Sequence, residues 1–176
     1  MLGVILAGGR SSRMGQDKSR LMINGQTLLQ RQQSILEQLG LEVIISGPDG
    51  VHDEFADYPG PLAGIYSVIR QQPAASWLFV PVDLPLIRPA TLARLMNHSS
   101  EAGCCYDYHP LPLLLKSSAQ LIPELYKRLQ KSGPDLSVRA FNRSMGVEQL
   151  ALNSDDEICL SNANDPQQWQ TLLRQL

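Results

Sequence analysis

The chain has little of several things that would place it quickly. Its three cysteines, Cys104, Cys105 and Cys159, are an adjacent pair and a single remainder, which suits neither a disulfide framework nor a spaced zinc motif. A reducing, cytoplasmic setting is expected. No run reaches the roughly 18 apolar residues of a membrane span, and the sequence opens on the apolar Val4-Ile5-Leu6 run with no basic leader before it. Neither a membrane nor secretion is expected. Charge of one sign is missing too: 15 Lys and Arg against 17 Asp and Glu leave a net charge of −2. No basic stripe is interleaved with aromatics, so nucleic acid is not an expected partner.

What is present reads as one globular unit. An apolar content of 43% in 176 residues can bury a real core, and no repeat, low-complexity stretch or linker divides the chain. A single domain over 1–176 is expected. Leu2 to Ala7, Leu41 to Ser46 and Ser76 to Val82 are short apolar runs bounded by Gly, Pro or Asp, the pattern of buried parallel strands. Thr27 to Leu39 carries Leu28, Leu29, Gln32, Ile35, Leu36 and Leu39 at helical spacing before Gly40, and predicts a crossover helix. Further helices are predicted over Leu62 to Gln71, Pro89 to Asn97, Ser118 to Gln130 and Pro166 to Leu176. Tyr106 to Lys116 reads as a loop entering a strand, with Pro112 placing its first part at an edge. Strands alternating with helices imply a mostly parallel α/β sheet covered on both faces, with ligands at the carboxyl ends of its strands.

The loop after the first strand, LAGGRSSRMGQDK from Leu6 to Lys18, joins glycines and hydroxyls to Arg10, Arg13 and Lys18. Backbone N–H groups and cations of this kind can wrap phosphate. Gly8, Gly9 and Gly15 lack the G-x-G-x-x-G spacing of a dinucleotide fingerprint, and Gln16 and Asp17 separate Gly15 from the Lys18-Ser19 that a P-loop would need adjacent. The stretch does resemble the LAGG-x-S-x-R-M-G-x-D-K signature of nucleotidyltransferases related to nucleotide-sugar pyrophosphorylases, in particular the molybdenum cofactor guanylyltransferases. DYPGPLAG at Asp57 to Gly64, VPVDLP at Val80 to Pro85 and SNANDP at Ser161 to Pro166 resemble three further motifs of that family, in the family's order.

The resemblance implies a three-layer, Rossmann-like nucleotidyltransferase fold. It implies Mg²⁺-dependent transfer of GMP from GTP to molybdopterin, with release of pyrophosphate, and transient contact with molybdenum cofactor biosynthesis or carrier proteins. Carried over residue by residue, it gives Lys18 and Arg13 to the triphosphate and departing pyrophosphate. Asp83 becomes the Mg²⁺ ligand. Leu6, Ala7, Gly8, Gly9, Ser46 and Asp53 are assigned to the nucleotide, and Asn162, Asn164 and His109 to the acceptor.

Plainer readings stand beside these roles. The Gly8-Gly9 pair also fits a strand-end turn, Asp83 an Asx turn before Pro85, Asn162 and Asn164 turn positions before Pro166, and His109 a loop residue before Pro110. Cys104 and Cys105 are expected as half-buried structural thiols. The family often carries Asn where this chain has Ser46, and the segment between Met96 and His109 is shorter than in typical members, close to where the acceptor would sit. CTP, a sugar phosphate as acceptor, or a GTP-binding accessory role without catalysis are the alternatives.

Overall fold

A computed structural model of the chain describes residues 1–8, 18–55, 60–131, 136–162 and 166–173. In chain order these form β1 (Leu2–Leu6), a short 3-10 turn (Lys18–Arg20), β2 (Met22–Ile23), β3 (Gln26–Thr27), α1 (Leu28–Gln38), β4 (Glu42–Ser46), α2 (Pro61–Gln71), β5 (Ser76–Pro81) and α3 (Pro89–Met96). They continue with β6 (Gly103–Tyr106), β7 (His109–Lys116), α4 (Leu121–Leu129), α5 (Val138–Ser144), β8 (Glu148–Leu150), α6 (Ser154–Cys159) and α7 (Pro166–Leu173). The main sheet has the order β4-β1-β5-β7-β6-β8. β1 pairs in parallel with β4 and β5, and β6 with β8, while β7 runs antiparallel between β5 and β6.

Alternation along each strand divides the core in two. Val4 and Leu6 of β1, Trp77 and Phe79 of β5, and Leu113 and Leu115 of β7 pack on one face against α2, α4 and α5 through Ile65, Leu125 and Phe141. The intervening Ile5, Leu78, Val80 and Leu114 pack on the other face against α1 and α3 through Leu28, Leu36, Leu92 and Leu95. The sheet is therefore the middle of three layers.

The same alternation sends Cys104 and Cys105 to opposite faces. They were expected to be half-buried, yet both are interior, at 0% and 2% exposure. The reason is β6 itself, which is covered on both sides and flanked by β7 and β8. Burial pushes the Cys104 thiol up to about 12, so both act as small apolar side chains.

The three parallel strands and five helices read from the sequence are present, with ends shifted by a few residues; the last three residues of the expected helix Pro166 to Leu176, Arg174 to Leu176, lie outside the described residues. Pro112 falls where no ladder bond is asked of it: the pairing with β5 runs only from Leu113 to Lys116, and the register with β6 shifts between Cys105 and Tyr106. Before the proline the strand has no β5 partner, as an imino acid requires. Beyond it, β7 is an interior strand rather than an edge.

Gly103 shows how closely β6 approaches β7. Its φ is +127°, and a Cβ there would lie 2.0 Å from the Leu114 carbonyl oxygen. Gly103→Ala should lower stability by more than ~2 kcal/mol, read as a lower urea midpoint; an unchanged midpoint would contradict the close approach.

Candidate active site

Every loop of interest opens on one edge of the sheet. β1, β4 and β5 end there, β6 and β8 run parallel to them, and β7 starts there. At the centre, the chain leaving β1 is held on both sides: Ala7 N–H donates to the Ser46 carbonyl at 2.8 Å, and Val82 N–H donates to the Leu6 carbonyl at 3.1 Å. Gly8 crosses Gly47 at close range. Gly47 has φ +149°, and a Cβ on it would meet the Gly8 nitrogen at 3.1 Å and the Ala7 carbonyl carbon at 3.2 Å. Two glycines thus let the β1 and β4 loops touch, leaving an exposed backbone at Gly8.

Beside this floor, Lys18 Nζ lies 3.1 Å from Asp83 Oδ2, although 65 residues separate them. Both side chains keep about a fifth of their surface, 18% and 22%, so the pair is anchored yet open to a ligand. Lys18 sits in the 3-10 turn, whose end is fixed by Leu21 N–H donating to the Lys18 carbonyl. A hairpin follows at once, made by Asn24 and Gly25 at φ 48° and 81°, the left-handed pair that a two-residue turn demands. Thr27 then starts α1 with a capping box to Gln30.

Helix α1 also holds Asp83 from behind. Gln32, fully buried, donates from Nε2 to the Leu84 carbonyl at 2.8 Å, and Arg31 Nε donates to the Pro85 carbonyl at 3.0 Å. On the far side Leu86 packs against Trp169 and Leu172 of α7. Gln32 and Arg31 escaped the functional reading of the sequence. The signal was a glutamine on the apolar stripe of an otherwise amphipathic helix, a place where a polar group needs a specific partner.

The other assigned residues fall around this centre. Ser46 is 2% exposed, and its Oγ occupies the space beside Gly64, 2.6 Å from where a Cβ would stand. Asp53 reaches the same spot, with Oδ1 3.5 Å from that position. Burial raises its carboxyl above the ordinary value, partly offset by the nearby His52. His109 opens β7 on the same edge; desolvation lowers its imidazole, against the opposing pull of Glu157. Asn162 is exposed, just past α6. Gly9, Arg13 and Asn164 lie outside the described residues, as do Arg10, Gly15, Asp17 and Asp57.

A second polar cluster fastens the other half of the sheet to its helices. Asp156 of α6 accepts from Thr91 Oγ1 at 2.8 Å and pairs with Arg94, which also donates to the Ala151 carbonyl and lies over the Tyr106 ring. Tyr106 donates to the Thr91 carbonyl at 2.7 Å. This ties α3, β6 and α6 together. Among the described residues no three His, Cys, Asp or Glu side chains gather as a metal cage.

An open cation–carboxylate pair beside a glycine floor, at the carboxyl edge of an α/β sheet, suits an anionic nucleotide. The fold agrees. It superposes on the crystal structure of molybdopterin-guanine dinucleotide biosynthesis protein A from Archaeoglobus fulgidus with a TM-score of 0.68, at 22% identity, covering 99% of this chain and 97% of the other. It also superposes on 2-C-methyl-D-erythritol 4-phosphate cytidylyltransferase from Thermus thermophilus, with a TM-score of 0.65 at 14% identity, covering 99% and 97%. The architecture is that of the nucleotidyltransferases.

Sequence narrows this further. Residues 3–147 match the MobA-like NTP transferase domain. The chain is 36% identical to the molybdenum cofactor guanylyltransferase of Xanthomonas euvesicatoria pv. vesicatoria, over 98% of this chain and 94% of that one. It belongs to the MobA-like NTP transferase family, and is a nucleotidyltransferase.

Two outcomes follow from the site's geometry. Gln32→Leu leaves the buried Leu84 carbonyl without its donor and should cost about 1–3 kcal/mol, measured by urea denaturation; no loss would mean the bond does not hold the Asp83 loop. Asp53, with its carboxyl raised, binds its proton more tightly in the folded than in the unfolded chain between 3.8 and the raised value. Stability should therefore fall as pH climbs through that window. Asp53→Asn should melt above the parent at neutral pH, with the gap closing in acid; a gap that widens in acid would reverse the sign.

Proposed function

We propose that the chain is a molybdenum cofactor guanylyltransferase: it joins GMP from GTP to the phosphate of molybdopterin, giving molybdopterin guanine dinucleotide and pyrophosphate. The observation that carries this reading is the contact of Lys18 with Asp83, 3.1 Å apart at the glycine-lined edge. The name of the 36%-identical relative supports the choice of substrates.

An oxygen of the acceptor's phosphate attacks the α-phosphorus of GTP. The bond from that phosphorus to the bridging oxygen breaks, and pyrophosphate leaves with the electron pair. Because the nucleophile is already anionic, the site needs positioning and charge neutralisation rather than a general base. Lys18 exchanges Asp83 for the triphosphate oxygens, and Arg13 neutralises the departing pyrophosphate. Gly8 and Gly9 admit the nucleotide close to the backbone. Leu6 and Ala7 meet the base with main-chain groups, and Ser46 supports them from below.

Asp83 holds Mg²⁺ in this reading. A partly open carboxylate at a strand end fits a hard cation that binds one or two carboxylates and shares its remaining positions with phosphate and water. Once bound, the ion supplies neutralising charge to the phosphate oxygens.

The fold is common to guanylyl and cytidylyl transferases, so the base is chosen by side chains. Guanine offers two adjacent donors, N1–H and the N2 amino group, and the Asp53 carboxylate can accept both. Cytosine offers one. His109, Asn162 and Asn164 serve the acceptor side, with desolvation favouring the uncharged form of His109 against the pull of Glu157. Carrier proteins that deliver molybdopterin would dock transiently at this same edge.

With Mg²⁺, metal-loaded molybdopterin and GTP, CTP or ATP offered in parallel, pyrophosphate should be released with GTP alone. Release with CTP would keep the chemistry and overturn the base, while GTP binding without release would favour the accessory reading. Asp83→Asn should slow turnover ~100-fold or more at saturating Mg²⁺, with melting little changed; an unaltered rate would remove Asp83 from the site.

A further inference from the structure

The β6–β7 hairpin turns through Asp107 and Tyr108 at the ligand edge of the sheet, and Tyr108 is unusual there in two ways. It is 80% exposed, more than any other large apolar side chain among the described residues; Met22 follows at 55%. Its φ is +63°, a left-handed conformation that glycine or asparagine adopts readily and a bulky side chain does not. A ring that buries almost nothing cannot repay that strain through packing, and strain of this kind gathers at functional positions.

The turn is also held still. Asp107 N–H donates to the Leu150 carbonyl at 2.9 Å, and Arg139 of α5 donates from Nη2 to the Tyr108 carbonyl at 2.7 Å. Directly before the turn, Tyr106 is fully buried and bonded to Thr91. Exposed tips are ordinarily among the mobile parts of a fold. Here an aromatic side chain is presented to solvent on a backbone clamped from both flanks.

Its position relates it to the reaction. The register Phe79↔Leu113 places β7 beside β5, so the hairpin tip stands one strand over from the Asp83 loop, on the same edge of the sheet. That is the side on which His109 lies and away from β4, where Ser46 and Asp53 stand. An acceptor whose phosphate reacts near Asp83 and whose planar ring lies at its other end would bring that ring toward Tyr108.

We propose that Tyr108 is the stacking platform for the flat pyrimidinone end of the acceptor's pterin. The inference rests on the acceptor named above and deepens it: the strained turn fixes the ring-binding end of the site, while Lys18 and Asp83 serve the phosphate end. Face-to-face contact with an aromatic side chain is tolerant of ring substituents and contributes on the scale of one stacked base.

The test uses Tyr108→Gly and Tyr108→Asn, two residues at ease with φ +63°, so that loss of the ring is separated from loss of the turn. Both variants should melt at or above the parent temperature. Both should raise the KM for molybdopterin roughly tenfold and weaken its binding in equilibrium dialysis to the same extent, with the KM for GTP unchanged; Tyr108→Phe should restore the parent values. Unchanged acceptor KM and binding in stable Gly and Asn variants would overturn the inference and leave the guanylyltransferase reading intact. A concentration-dependent loss of dimers in those variants, with acceptor binding kept, would assign Tyr108 to self-association and also overturn it. Failure of the parent chain to transfer GMP to molybdopterin would overturn both.

Discussion

The contact between Lys18 and Asp83 depends on the whole parallel half of the sheet, β4, β1 and β5. The two residues meet because β1 and β5 are neighbours, paired from Leu2↔Trp77 to Leu6↔Pro81, so that the chain leaving each strand emerges at the same edge. Position at an edge is not enough to fix a side chain to within a hydrogen bond. Gln32 and Arg31 of α1 hold the carbonyls of Leu84 and Pro85, and α7 covers Leu86 from the other side. A partly exposed ion pair contributes little to folding, on the order of 1 kcal/mol or less. In the proposed reaction its value lies in keeping a cation and a carboxylate ready to separate toward one triphosphate.

The sheet divides its work along its order. The parallel strands β4, β1 and β5 present Asp53, Gly8 and Asp83, while β7, β6 and β8 carry His109 and the Tyr108 turn. The network of Tyr106, Thr91, Arg94 and Asp156 fastens the second half to α3 and α6. Burial pushes the Tyr106 hydroxyl up to about 12, so it stays a donor across the physiological range. The segment between Met96 and His109 is folded as β6 and its approach, and it carries the strand beneath the Tyr108 turn.

Much of this was legible. Buried parallel strands announce themselves as apolar runs ending in Gly or Asp, and β1, β4 and β5 did so; α1 followed from helical spacing, and α2 and α3 from the prolines and turns that open them. Elements without such signals were missed. β8 is the polar Glu148-Gln149-Leu150 at a sheet edge, α5 and α6 are short, and β6 is four residues long. The Asn24-Gly25 hairpin had a signal in its dipeptide that went unread. Lys18 and Asp83 were both singled out, each for its own motif, but a contact across 65 residues needs strand order, which periodicity does not contain. Gln32 was hidden for the opposite reason: at the spacing of an apolar face it counted as core, and only the neighbouring carbonyl of Leu84 reveals its purpose.

The most direct measurement is a double-variant cycle on Lys18→Ala and Asp83→Asn, with kcat/KM for nucleotidyl transfer as the readout and melting temperature as the control. If both side chains act on one triphosphate, either loss spoils the same arrangement, and the double variant should be hardly slower than the slower single one. Losses that multiply, each variant slowing transfer by its own factor regardless of the other, would mean that Lys18 and Asp83 act independently and would contradict the account.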